Sequence, residues 1–386
     1  MSDISLVFTG DIGFDKYMDR MWEKEELLSE EVKAFLKSGD HLVVNVEGPL
    51  SEQKKVVKPN GVTALTHSMN PEAVKFLDNI GADVWNICNN HIMDAGAEGL
   101  EDTLKAAKEH DAHTLGAGIN LTEAAKPVIF SEAGGVGLVA VGYSRACRIA
   151  GEDTPGCLNW SNMAAVEAAV RDVKKTCKYC IIVAHDGEEF TAIPMEYTRN
   201  RYMKYLEMGA DIIVAHHPHV PMNYEIVGDK AIFYSLGNFV FDTDYQRAQF
   251  NTEKGVLLKL NLSEAGFTFD AMGLLLNRET ETIGSSDLPD IFADVPADEY
   301  KKLLPLGAKV LIENTKRQLR FLRPADFENA TDEMWYNNFY EPLRSGRVPE
   351  EILDFQIVYP LSLKADERGW ESSTLDKVKA FMLEQI

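Results

Sequence analysis

Carboxylate, amide and imidazole side chains recur in this sequence directly after short apolar segments. Together they are typical of a divalent-cation site, because Mn²⁺, Fe²⁺ and Zn²⁺ accept mixed oxygen and imidazole ligands, and an oxygen-rich subset also suits Ca²⁺ or Mg²⁺. The pattern does not distinguish among these metals. In chain order, the residues are Asp11, Asn45, Glu47, Asn90, His91, His185, Asp186, His217 and His219.

The segment His216-His217-Pro218-His219 is the most specific of these clusters. His217 and His219 occupy alternate positions, and on an extended segment such residues point to the same side. A single Asp after Gly is more often a turn residue, and a single His is more often packed and hydrogen-bonded than metal-bound. The argument for a metal site therefore rests on five clusters after five successive strands.

The apolar segments before these residues have the length and composition of buried β-strands. Patterns with helical spacing separate them, and this alternation predicts an α/β fold whose mostly parallel sheet has helices on both faces. In such a sheet the carboxyl ends of the strands share one edge, where ligands bind. The predicted strands cover residues 4–8, 42–46, 83–87, 136–141, 180–184 and 211–215.

The pattern changes in the last third of the chain. After residue 221 the predicted strands follow one another with little helix between them, which indicates an antiparallel second sheet packed on the first. From about residue 288 the sequence becomes helical and charged. We therefore predict a metalloenzyme domain at residues 1–275 and a helical C-terminal extension at residues 276–386, packed on or near the site.

The composition argues against several other classes of function. The 386 residues include 61 Asp and Glu but 39 Lys and Arg, a formal net charge of −22. Nucleic acids and anionic membranes are therefore not expected as partners, because both require a basic face. No apolar run reaches the ~20 residues that cross a bilayer, no signal peptide is evident, and the five scattered cysteines form no disulfide framework. We expect a cytoplasmic, reduced protein of open oligomeric state.

Short motifs follow one another through residues 4–262. They are Gly10-Asp11, Asn45-Val46-Glu47-Gly48-Pro49, Asn89-Asn90-His91, His185-x-Gly187-x-Glu189, Gly209-Ala210-Asp211, His216-His217-Pro218-His219-Val220 and Tyr234-Ser235-Leu236-Gly237-Asn238-Phe239. Together they resemble the poly-γ-glutamate capsule-synthesis (CapA) family, which belongs to the calcineurin-like metallophosphoesterase superfamily. The resemblance does not cover the C-terminal third.

This resemblance implies a calcineurin-like four-layer αββα sandwich with one or two divalent ions at the strand ends. By position, the metal ligands would be Asp11, Glu47, Asn90, His185, His217 and His219. Glu47 would bridge the two ions, and His91 would be the acid/base imidazole. The residues that support the ligands or contact the substrate would be Asn45, Glu189 and Asn238.

Two positions depart from the family pattern. Gly13 stands where the wider superfamily has a histidine, so the first metal loses a ligand and a single ion would suffice. Asp186 stands where the CapA pattern usually has an aromatic residue, and it adds a carboxylate beside His185. Both departures weaken the case for a two-metal phosphoesterase.

Four functions follow from these residues. We favour metal-dependent hydrolysis of a peptide or γ-glutamyl amide, with His91 moving the proton. The second is epimerisation of an amino-acid α-carbon by two His/Asp pairs, His91 with Asp11 and His185 with Asp186. The third is phosphoester hydrolysis. The fourth is a non-catalytic role in the assembly of a capsule polymer.

Overall fold

Two β-sheets packed face to face form the centre of the protein. The structure is a computed structural model that describes residues 2–53, 66–143, 147–331, 334 and 373–385. The strands of the first sheet are β1 (Ile4–Ile12), β2 (His41–Val46), β3 (Val84–Asn86), β4 (His113–Leu115), β13 (Asn238–Val240), β14 (Lys254–Leu262), β15 (Phe267–Asn277) and β16 (Thr282–Ser286). Their order is β16-β15-β14-β1-β2-β3-β4, with β13 beside the end of β1. Strands β1 to β4 are parallel, so their carboxyl ends share one edge.

The second sheet has the order β11-β12-β10-β9-β7-β6. Its strands are β6 (Val128–Phe130), β7 (Val136–Gly142), β9 (Tyr179–His185), β10 (Ile212–His216), β11 (Tyr224–Val227) and β12 (Lys230–Phe233). The central strands β7, β9, β10 and β12 are parallel. A short antiparallel ribbon joins β5 (Ala117–Gly118) to β8 (Gly156–Cys157).

The division of strands between the sheets differs from the sequence prediction. The predicted parallel strands are split, with β1 to β3 in one sheet and β7, β9 and β10 in the other. The strands after residue 221 are also split, because β11 and β12 extend the second sheet while β14 to β16 extend the first. An apolar strand pattern records burial on both faces but not the identity of the neighbouring strand, so the sequence could not assign them.

Helices cover the outer faces and complete four layers. Because side chains alternate along a strand, Ile181 and Val183 of β9 face the first sheet, while Ile182 packs against the outer helices α5 and α6. The first sheet is covered by α1 to α3. The helices are α1 (Glu30–Leu36), α2 (Val74–Ile80), α3 (Gly96–Glu109), α4 (Leu121–Ala124), α5 (Met163–Lys174), α6 (Glu196–Met208), α7 (Asp244–Arg247), α8 (Ala297–Leu322), α9 (Pro324–Phe327) and α10 (Ser373–Leu383). This is the predicted αββα sandwich.

The C-terminal part of the chain adds both strand and helix. Strand β15 continues past residue 275 and pairs with β16, so the first sheet extends to Ser286. Beyond it, α8 packs with α10 around an apolar cluster that includes Ile193 and Met195. A Cβ at Gly307 would lie 2.7 Å from Ile193 Cδ1, so glycine allows the close approach of α8 to this loop. Of the predicted extension at 276–386, residues 332–333, 335–372 and 386 lie outside the described part.

Two further expectations concern the membrane and the cysteines. Within the described residues, no helix has both the length and the apolar character needed to span a bilayer. Cys88, Cys147, Cys157, Cys177 and Cys180 are all buried free thiols, as expected for a chain without a disulfide framework.

Candidate metal centre

The strand register brings the predicted residues to one edge of the sandwich. Asp11 of β1 lies opposite Asn45 of β2, which lies opposite Asn86 of β3. In the second sheet, His185 at the end of β9 lies opposite His216 at the end of β10. The two sheets therefore contribute different ligands. Asp11, Glu47 and Asn90 come from the first sheet, whereas Glu189 and all the candidate imidazole ligands follow strands of the second.

Six charged or imidazole side chains form three overlapping groups at this edge. Within each group, one ligand atom per residue lies within 4.8 Å of the others. The groups are Asp11, Glu47 and His219; Glu47, His185 and His217; and Glu189, His217 and His219. Glu47 is shared by the first two groups, the position predicted for a bridging carboxylate. The Oδ1 atom of Asn90 lies 2.8 Å from His185 Nε2 and can join the second group.

Several buried polar atoms of this cluster lack hydrogen-bond partners within the described part of the chain. They are Asp11 Oδ2, both oxygens of Glu47, His185 Nδ1 and His217 Nδ1, and all are buried. A buried carboxylate without a partner is costly, whereas a bound cation would satisfy it. The donor set and its unpartnered atoms therefore fit a divalent metal.

The electrostatics of Glu47 and His219 favour a proton on this pair. Burial raises the pKa of Glu47 well above its ordinary value, although the nearby His219 imidazole acts against this shift. Burial alone would lower the pKa of His219, but the carboxylates of Glu47 and Asp11 raise it to about 10. His219 Nε2 lies 3.6 Å from Glu47 Oε1. Both shifts mean that the pair retains a proton at neutral pH.

The other imidazoles are neutral and ready to bind metal. Burial, assisted by the neighbouring imidazoles of His217 and His216, lowers the pKa of His185 well below 6.5. Burial likewise lowers the pKa of His217. A metal ligand must be deprotonated, so these two residues need lose no proton on binding.

The loop that carries His217 and His219 has a strained backbone. Their φ angles are 98° and 58°, in the left-handed region that non-glycine residues rarely adopt. His219 Nδ1 lies 3.0 Å from Asn238 Oδ1. The amide of Asn238 is oriented by donation from Nδ2 to the Thr252 carbonyl at 2.9 Å, so its oxygen accepts and Nε2 of His219 is left to face Glu47. Strain of this kind is typical of functional sites.

His91 lies beside the cluster and is hydrogen-bonded to a carboxylate. Its Nδ1 donates to Asp94 Oδ2 at 2.6 Å, and burial together with the neighbouring His67 lowers the pKa of His91 to about 3. His67 donates from Nδ1 to Asp15 Oδ2 at 2.8 Å. The His67 ring meets the His91 ring edge-on, with centroids 4.2 Å apart.

The His/Asp pairs expected from the sequence are not those in the structure. His91 pairs with Asp94, and Asp11 lies 3.1 Å from His219 Nδ1. The carboxylate of Asp186 turns to Arg201, so it is not paired with His185. Sequence adjacency was a poor guide because neighbouring residues at a strand end point in different directions.

Asn45 and Gly13 have structural explanations. Asn45 Nδ2 donates to Asp11 Oδ1 at 2.8 Å, and Asn86 Nδ2 donates to Asn45 Oδ1 at 2.8 Å. This row of amides occupies Asp11 Oδ1, and Asp11 Oδ2 faces His219 Nδ1 at 3.1 Å. At Gly13, a Cβ would lie 2.5 Å from Phe241 Cε2, so Phe241 fills the space that a side chain would need.

Sequence analysis missed several residues that contact or support the cluster. Phe190, Phe241, Tyr245 and Gln318 touch it directly, whereas Asp15, His67, Asn86 and Asp94 act through His91 or Asn45. The spacing of Asp94, three residues after His91, was an available signal, because such residues are neighbours on a helical turn. His67 and Asp15 are 52 residues apart in the chain, and no local pattern joins them.

The four layers and the carboxylates and imidazoles at their strand ends define a calcineurin-like protein. The chain belongs to the family described as Bacterial capsule synthesis protein PGA_cap, which matches residues 5–243. It is 30% identical over 268 residues to the PGA biosynthesis protein CapA of Bacillus subtilis, covering 68% of this chain and 69% of that protein. It is also 30% identical over 271 residues to the capsule biosynthesis protein CapA of Bacillus anthracis, covering 68% and 65%.

Solved structures give more distant likenesses. A 5'-nucleotidase from Candida albicans aligns with 72% of this chain and 53% of its own, at 12% identity and a TM-score of 0.40. A hypothetical protein from Thermus thermophilus aligns with 70% of this chain and 98% of its own, at 9% identity and a TM-score of 0.43. Neither indicates an activity. The family match ends at residue 243, so α8 and α10 lie outside it.

Proposed function

We propose that this chain is a metal-dependent enzyme that hydrolyses a peptide or γ-glutamyl amide. The observation that carries the proposal is the buried cluster of carboxylates and imidazoles with unpartnered atoms, beside the neutral imidazole of His91. The names of the Bacillus relatives refer to PGA and capsule biosynthesis, which supports a γ-glutamyl polymer as the source of the substrate.

The residues that would hold the ions follow from the groups that share Glu47. The ligands of one ion would be Asp11, Glu47 and His219. Those of the other would be Glu47, Asn90, His185 and His217. When bound, divalent ions would polarise the scissile carbonyl and lower the pKa of water.

His91 would move the proton. Its neutral Nε2 accepts a proton from water as the water oxygen bonds to the carbonyl carbon. The proton then passes to the amide nitrogen as the C–N bond breaks, which yields a carboxylic acid and an amine. Asp94 holds Nδ1 and orients the ring for both transfers.

The first test measures the metal content of untreated protein and its turnover of γ-glutamyl peptides and of p-nitrophenyl phosphate. We expect a bound divalent metal and release of amine from the peptide. His91→Ala should retain the metal and lower kcat by about 10²–10⁴-fold, the usual contribution of general acid–base catalysis. Turnover of the phosphoester alone would favour a phosphoesterase, and bound metal without any turnover would favour an assembly component.

A second test separates hydrolysis from epimerisation. Epimerisation needs proton-transfer groups on opposite faces of the α-carbon, and the expected second pair is missing because Asp186 is held by Arg201 instead of pairing with His185. Peptide recovered from D₂O should therefore be cleaved, with hydrogen retained at every α-carbon. Uncleaved peptide with deuterium at an α-carbon would replace the hydrolase proposal with the epimerase.

A further inference from the structure

We infer that Glu189 is itself a metal ligand and that the C-terminal helix α8 orients it. This inference rests on the metal centre of the proposed function and extends it to a carboxylate that sequence analysis placed only in support. It also assigns a function to α8, which lies beyond the family match at 5–243.

The first argument is the position and charge of Glu189. One of its carboxylate oxygens lies within 4.8 Å of ligand atoms of both His217 and His219. These two histidines belong to different ions in the proposed centre, so Glu189 lies within reach of ligands of both. No Lys or Arg in the described part of the chain forms an ion pair with it, and its charge adds to that of Glu47 and Asp11. A cation is the partner that this third carboxylate lacks.

The second argument is the way in which Glu189 is held. Its Oε2 accepts hydrogen bonds from the Tyr245 hydroxyl at 2.9 Å and from Gln318 Nε2 of α8 at 3.3 Å. Both donors are neutral, so they fix the carboxylate without neutralising it. Groups that orient a ligand in this way are typical of metal centres.

The third argument is the attachment of the neighbouring residue, Phe190, to the C-terminal helices. Phe190 has a φ of 60°, and its carbonyl accepts hydrogen bonds from Asn314 of α8 and, at 3.4 Å, from Gln385 Nε2 just after α10. Its N–H donates to the Pro218 carbonyl at 2.8 Å, and its ring stacks on His219 with centroids 6.0 Å apart. The helices therefore hold the loop with Glu189 against the loop with His217 and His219.

The test is Mn²⁺ binding by calorimetry, with the number of ions counted by elemental analysis. Glu189→Gln keeps the shape and the two hydrogen bonds but removes the charge. We expect it to lose one ion or to bind Mn²⁺ at least about 10-fold more weakly. Glu188→Gln is the matched control, because Glu188 faces away and accepts from Met195 N at 3.0 Å and Thr198 Oγ1 at 2.8 Å. This control should bind Mn²⁺ as the wild type does.

Unchanged number and affinity of ions in Glu189→Gln would overturn the ligand role. If that variant does not fold, Glu189→Ala, which removes the carboxylate, is measured in the same way, and unchanged binding there has the same meaning. Wild-type protein that binds no divalent ion would instead refute the proposed function.

The role of α8 has its own comparison. Gln318→Leu should weaken Mn²⁺ binding by about 10-fold, at the low end for groups that orient ligands, while Lys302→Ala on the exposed face of α8 should not. Equal binding by Gln318→Leu and wild type would leave Glu189 as a ligand but overturn its orientation by α8.

Discussion

The proton held by Glu47 and His219 determines how the metal centre should respond to pH. A metal ion must displace this proton, because the carboxylates raise the pKa of His219 to about 10 against the effect of burial. We therefore expect Mn²⁺ affinity to increase as the pH rises toward 10, with at least one proton released at pH 7. Calorimetry in buffers of different ionisation enthalpy measures this release. Equal heats in all buffers would contradict the prediction.

His219 also makes the stability of the metal-free protein depend on pH, and this stability should fall, not rise, as the pH increases. Because the pKa of His219 lies above its ordinary value of 6.5 in the folded chain, its stabilisation is complete below that pH and is lost as the pH approaches 10. Metal-free wild type should therefore lose more stability than His219→Gln between pH 6.5 and pH 10. Urea unfolding at several pH values tests this, and parallel curves for the two proteins would refute it.

Gly13 gives a prediction about packing against the ligands. A Cβ at this position would lie 2.5 Å from the ring of Phe241, which packs on the His219 ring at 4.9 Å. Gly13→Ala should lower the free energy of unfolding by about 1–3 kcal/mol and weaken Mn²⁺ binding. Gly284→Ala is the control, because a Cβ there would meet no atom within 4 Å. Equal stability of the two variants would show that the Phe241 ring can move aside with little loss of stability.

Residue types at strand ends were sufficient to predict most of the cluster. Asp11, Glu47, His185, His217 and His219 come together because parallel strands share an edge. Partners that depend on side-chain direction could not be predicted in this way. Asp186 pairs with Arg201, and the carboxylate that pairs with His91 belongs to Asp94.

At the scale of elements, the side-chain amides of Asn45 in β2 and Asn86 in β3 form a row that orients Asp11 of β1. Asn45→Ala would leave Asp11 Oδ1 and Asn86 Nδ2 buried without their partner. Each such group costs about 1–3 kcal/mol, so unfolding in urea should show a loss of at least that size. Asn261→Ala, which removes an exposed hydrogen bond from the Asn261 side chain to Asp270, should change stability by less than about 0.5 kcal/mol. Equal losses would mean that the row is not structurally important.

The elements themselves were largely predictable, whereas their arrangement was not. Strand β9 appears where an apolar segment predicts it, and helix α8 lies in the region predicted to be helical and charged. The assignment of β14 to the first sheet and β12 to the second depends on contacts between distant segments, which spacing does not encode.

At the scale of the whole molecule, metal should stabilise the folded chain. A ligand that binds only the folded state adds about 2.7 kcal/mol when its free concentration is about 100 times its Kd. Thermal unfolding should therefore shift upward by several degrees on addition of Mn²⁺ and return with EDTA. Glu47→Gln, which lacks the shared carboxylate, should show a smaller shift. An unfolding temperature independent of metal would contradict a centre between the sheets.

The division of ligands between the two sheets has a kinetic consequence. The carboxylates of Asp11 and Glu47 from the first sheet and the imidazoles from the second approach each other only after the sheets have docked. A transition state that precedes docking contains no complete centre, so an ion would leave the refolding rate unchanged and slow the unfolding rate. The ion would then prolong the folded state without speeding its formation, and the lifetime of the folded chain in a cell would increase with the concentration of available metal.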